Sequence, residues 1–249
     1  MRFVGVLLLV GVGAGCSRRD PSRDNIAAML REDAGYTRRL ITFEIGSPDA
    51  SLPEFQAFCD KAIEQRTERL IKIQAIASST SLSKDFSEIV DLQLESENSL
   101  VRGKRRLFEE YLRSKTLREN YNLLGKQAAE SERVTAGLQK AGQAEGAEEN
   151  NDKAIELLTS ALAESESRLG MEYRRIKLAR EIRVAVVAAA DANVKWSKTL
   201  VDFFKIENKA AVVYKSNAIP VDRLEDNLFD AASNTSKSIG EIIAQQIPK

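Results

Sequence analysis

Apolar side chains recur at three- and four-residue steps along most of the chain, and no segment sustains the two-residue alternation of a half-buried strand. The first stripe, Ile26, Met29, Leu30, Ala34, Thr37, Leu40, Ile41 and Ile45, predicts a helix from near Asp24 that Gly46-Ser47-Pro48 stops. A second helix opens at Ser51-Leu52-Pro53-Glu54, where the Ser51 hydroxyl can accept from the Glu54 amide and Pro53 sits in the first turn at no cost. Phe55, Phe58, Cys59, Ala62, Arg66, Leu70, Ile73 and Ala77 continue its stripe until a Ser/Thr run competes for the backbone. The third stripe, Phe86, Val90, Leu100, Leu107, Tyr111, Tyr121 and Leu124, predicts a helix from Ser83 to about Leu124, with Gly103 as a weak point.

Between Gly125 and Asn151 the composition shifts to Ala, Gly, Gln and Glu with almost no large apolar residue, which reads as a flexible connector near 125–151. A long helix is expected from Asp152 to Asn217. Within it Val184–Ala190 is apolar on all sides, so this segment is expected to be the most enclosed part of the fold. After Asn217-Ala218-Ile219-Pro220 a last helix carries Leu224, Leu228, Ala232, Thr235, Ile239, Ile242 and Ile243 on one face. The pattern predicts an all-α fold, an elongated antiparallel helical bundle of coiled-coil character with about five helices, forming one domain over residues 26–249.

Ahead of these elements stand Arg2, an apolar run from Phe3 to Val12, and Gly13-Ala14-Gly15 before Cys16. The run is too short for a permanent bilayer span, which needs about 20 apolar residues, and has the length and small-residue exit of a signal peptide. It resembles the signal and lipobox of bacterial lipoproteins over residues 1–16, with Gly13 standing where that class usually carries an aliphatic residue. The resemblance implies cleavage after residue 15, diacylglyceryl attachment to the Cys16 sulfur, usually acylation of the new amine, and a membrane anchor. The same residues also fit an ordinary secretory signal cut nearby. Residues 16–25 then form the anchored cysteine and a polar tether containing Pro21. Ser17 takes the place where Asp would, by the same resemblance, retain the protein at the inner membrane, which implies the periplasmic face of the outer membrane.

The 37 basic and 37 acidic residues cancel, and removal of residues 1–15 takes only Arg2. Dense, balanced charge describes solvated helix faces and excludes a nucleic-acid binder, which needs a basic excess. The absence of histidine removes the commonest general base and zinc ligand. With Cys16 lipidated, Cys59 has no intrachain partner, and its place between Phe58 and Ala62 reads as a buried small hydrophobe. Arg102, Lys104, Arg105 and Arg106 read as a solvated basic face answered by Glu109 and Glu110.

No phosphate loop, dinucleotide fingerprint, CxxC or GxSxG occurs, and the carboxylate pairs lie in mixed-charge helical runs. No catalytic residue, cofactor or metal is expected. The weak ligand or partner contacts are Trp196, Phe203, Phe204 and Tyr214, which either line a space between helices or belong to the core. These features predict a non-enzymatic envelope scaffold, lipid-anchored at Cys16, that meets a protein partner or itself through its helices. A carrier of an apolar small molecule is the alternative, and a pore-forming, toxin-like helical protein a more distant one. An enclosed apolar cavity separates the carrier from the scaffold.

Overall fold

A computed structural model of the chain describes residues 21–43, 45, 51–79, 84–214 and 221–248. Five α-helices occur among them: α1 (Pro21–Thr42), α2 (Leu52–Ser79), α3 (Lys84–Ala147), α4 (Asn151–Tyr214) and α5 (Val221–Ala244). The all-α expectation holds. Helix α1 begins at Pro21, earlier than Asp24, so residues 21–25 of the expected tether are helical. The predicted α2 cap is present: the Glu54 amide donates to Ser51 Oγ at 3.3 Å.

The main correction falls between Gly125 and Asn151. Helix α3 runs without interruption to Ala147 and the connector shrinks to a turn at Glu148–Asn150. Alanine, glutamine and glutamate are strong helix formers, each glycine costs only about 1 kcal/mol, and the small residues supply an antiparallel seam with α4. Its buried members are Ala128, Ser131 and Gly142 on α3 and Ala154 and Ala161 on α4. A Cβ on Gly142 would lie 2.9 Å from Leu158 Cγ, so this glycine is required by close approach. Ser131 Oγ donates across the seam to the Glu164 carbonyl at 3.1 Å.

The turn is a Schellman closure. The Asn150 amide donates to the Glu145 carbonyl at 3.0 Å and the Glu149 amide to the Gly146 carbonyl at 3.2 Å, with Glu149 at φ 63°. Glu145 ties the new helix to the old one by accepting from Asn150 Nδ2 at 2.9 Å and pairing with Lys153.

Helices α3 and α4 each contain 64 residues and so form a hairpin about 96 Å long. Its open end is the body. There α1, α2 and α5 pack on the first half of α3 and the second half of α4, around Phe55, Leu100, Leu107, Phe108, Ile182, Ala189, Trp196, Ile239 and Ile243. The start of α1 is held at the base, where Ile26 meets Ile73, Phe86, Val90 and Leu94. Beyond Tyr121 and before Ile182 the hairpin continues as a two-helix stalk whose tip is the Glu148–Asn150 turn.

Val184–Ala190 is not enclosed as expected. Ala185, Val186 and Ala189 are buried, while Val184, Val187 and Ala190 are exposed. The segment packs through one face only, because α3 and α5 cover α4 from adjacent sides and nothing among the described residues covers the third. Val187→Asp is therefore expected to change stability by less than about 0.5 kcal/mol, whereas Val186→Asp, burying an unpaired charge, is expected to cost several kcal/mol. Thermal melts of the two variants followed by circular dichroism check this; equal losses would contradict the one-sided packing.

Candidate functional site

Of the residues singled out by sequence, Cys16 lies outside the described residues, as does the Tyr214 side chain at the end of α4. The other three are core. Trp196 is fully buried and Phe203 and Phe204 nearly so, the last two edge-to-face at 5.5 Å. The expected weak point Gly103 is where the indole seats: a Cβ there would stand 3.2 Å from Trp196 Cδ1. Among the described residues the ring is enclosed by Gly103 and Lys104. Hollows among the described residues include surface grooves of about 410 Å³ between Ile89, Leu92 and Val212 and about 250 Å³ near Ser96 and Phe203, and a space of about 10 Å³ under Tyr36.

The basic cluster of α3 is split by the structure. Arg102 and Arg106 are solvated and Arg105 pairs with Asp60 and Glu109, both at 3.2 Å. Lys104 instead points into the body and is fully buried, its Nζ 3.4 Å from the Ile41 carbonyl and 4.2 Å from the centre of the Trp196 ring. Leu100, Lys104, Leu107 and Tyr111 share one helical face, and that spacing was the available signal. Burial pushes the Lys104 ammonium down to about 7. Arg66, already on the α2 stripe, is buried against Glu97, and Gln93 Nε2 donates to Glu207 at 2.9 Å, whose acidity burial weakens. These groups join helices: Arg66 links α2 to α3, Lys104 links α3 to α1, and Gln93 links α3 to α4.

Cys59 is fully buried and its thiol is pushed up to about 11 by burial, which leaves it an unreactive packing group. Among the described residues no cluster of three acidic or cysteine side chains converges to hold a metal. None of the described helices is long and apolar enough to cross a membrane.

The surface feature with chemical content lies on the stalk. Ile155, Leu158, Leu162, Leu169, Tyr173 and Ile176 of α4 are between 43% and 64% exposed. Their steps of three, four and seven residues place them on one face, offset by roughly a quarter turn from the Ala154–Ala161 seam. The stripe is about 32 Å long. Their three- and four-residue spacing continues through Ile182, Val186 and Trp196, a stripe so long that its pattern calls for several partner helices or another chain to cover it. Comparison of the chain with protein families, with curated proteins and with solved structures finds no match in any of the three.

Lys104 also sets a pH dependence. The unfolded ammonium titrates near 10.5 and the folded one near 7. Between these values the unfolded chain holds a proton that the folded chain has released, so stability rises with pH through that window. Below pH 7 both states carry the proton and the burial penalty is complete. Lys104→Met is expected to raise the melting temperature at pH 7 and to flatten the rise between pH 7 and 10. Parallel pH profiles for variant and parent would contradict it.

Proposed function

We propose that the chain is a lipid-anchored, non-enzymatic scaffold of the cell envelope, held through Cys16 at the periplasmic face of the outer membrane, with the stalk of α3 and α4 as the part that meets a protein. The observation that carries the reading is the exposed apolar stripe from Ile155 to Ile176. Exposed large apolar residues scattered singly need no explanation, but six on one helical face mark an interaction surface.

The placement of the ends supports the same reading. Helix α1 starts at the base of the body, five residues after Cys16. The stalk tip lies at the opposite end of a hairpin about 96 Å long. An anchor at Cys16 therefore joins the molecule at the end away from the stripe. The carrier alternative requires an enclosed apolar space beside Trp196, and that ring is packed against Gly103 and Lys104.

Replacing Cys16 by Ser is expected to move the protein from the membrane and detergent phase to the aqueous fraction. Identical partitioning of variant and parent would contradict the anchor and return the N-terminal segment to an ordinary secretory signal.

A further inference from the structure

The stripe on α4 is symmetric. Ile155 and Ile176, Leu158 and Tyr173, and Leu162 and Leu169 are each equidistant from the junction between Ser165 and Glu166. An arbitrary partner imposes no such relation on one helix. A two-fold axis through the junction does, because it lays each residue level with its mirror position on an identical, antiparallel helix. We infer that the stripe is a homotypic docking face, on which α4 of a second copy of this chain lies antiparallel with its midpoint at Ser165–Glu166.

Charge supports the antiparallel sense. On the N-terminal side of the junction α4 carries Asp152, Glu156 and Glu164 against Lys153, a net charge of minus two. On the C-terminal side, up to Arg180, it carries Arg168, Arg174, Arg175, Lys177 and Arg180 against Glu166 and Glu172, a net charge of plus three. Antiparallel register sets the acidic end of one α4 level with the basic end of the other and brings Asp152 beside Arg180 on the flank of the stripe, whereas a parallel pair sets like against like. Arg168 and Arg175 add to the field but are turned to α3, where Arg168 pairs with Glu132 and Arg175 lies over Tyr121. Glu166 meets its own copy at the axis, a like-charge contact at an exposed rim, where such interactions are weak.

Packing supplies the driving force. The fully buried members of the stalk's internal seam are Ala128, Ser131, Gly142, Ala154 and Ala161, with Leu138 and Leu157 half-buried, so the Ile155–Ile176 stripe is left largely exposed. Ile155, Leu162, Leu169 and Ile176 repeat at heptad spacing, the period that keeps a seam facing its partner helix. Six such side chains doubled across a two-fold axis approach the roughly 1,200 Å² at which specific interfaces begin. The resulting assembly is a four-helix arrangement with the two bodies at opposite ends.

The inference takes up the interaction face proposed above and is independent of the lipid. Its test uses the full chain carrying Cys16→Ser, in which buried Cys59 is the one native thiol. Cysteines are placed singly at Glu166, Ile155 and Ile176, followed by mild oxidation and sedimentation. Glu166→Cys is expected to link to itself, Ile155→Cys and Ile176→Cys to remain unlinked alone and to link when mixed. Adding Leu162→Glu with Leu169→Glu, both at exposed positions, is expected to leave the helical content unchanged and weaken dimerisation roughly tenfold or more. Self-linking of Ile155→Cys would show parallel pairing and overturn the inference, as would a monomer at high micromolar concentration with no links. Links without any effect of Cys16→Ser on membrane partitioning would retain the pairing and remove the anchor; the reverse result would remove the pairing alone.

Discussion

Everything outside the body depends on how closely the backbones of α3 and α4 approach each other. Large side chains hold helices about 10 Å apart, whereas alanine, serine and glycine let them come nearer the lower limit of about 8 Å. Gly142 under Leu158 and the bond from Ser131 to the Glu164 carbonyl are consequences of that closeness. The same choice limits the apolar area the seam can bury, since an alanine methyl contributes far less than a leucine side chain. The stalk is thus held by helix propensity, by the turn at Glu149, by ion pairs such as Arg168–Glu132 and by half-buried residues such as Leu138 and Leu157, while the Ile155–Ile176 stripe of α4 stays exposed.

The body uses the opposite arrangement. Phe43, Phe55 and Phe108 contact one another with ring centres 4.5 to 5.7 Å apart, and Trp196 fills the notch at Gly103. Into this apolar mass the chain also buries Arg66 with Glu97 and the Lys104 amine over Trp196. Such groups add little net stability and are costly to leave unpaired. They do discriminate between registers, because a slip of one helical turn would separate Arg66 from Glu97 and Lys104 from the Ile41 carbonyl. Asn193 Nδ2, donating to the Ser236 carbonyl at 2.9 Å, and the Ser197–Ser236 hydroxyl contact at 2.6 Å act in the same way between α4 and α5.

The helices and the Ser51 cap were legible in the sequence, because stripe period and start signals are local properties, whereas the unbroken course of α4 through Gly170 depends on its packing along α3. The failures share a cause. Residues 125–147 look disordered when a helix is expected to bury large side chains, and become intelligible once a partner helix takes small ones. Val184–Ala190 looks enclosed when apolarity is equated with burial, although only Ala185, Val186 and Ala189 face neighbours. Lys104 looked solvated because it was read with its sequence neighbours Arg102, Arg105 and Arg106 instead of with Leu100 and Leu107 on its helical face. For the functional face, three- and four-residue spacing marks the six stalk residues as apolar and helical, but which of them a neighbour covers depends on where α3 lies.

The most direct measurement is amide hydrogen exchange of the chain, resolved by segment. A continuous α3 paired closely with α4 predicts protection from Gly125 through Ala147 that matches the protection of Ala154 to Ala179 across the seam, with fast exchange confined to the turn at Glu148–Asn150. Exchange at unprotected rates throughout 125–151 would contradict the stalk, and with it the direction in which Ile155 to Ile176 face.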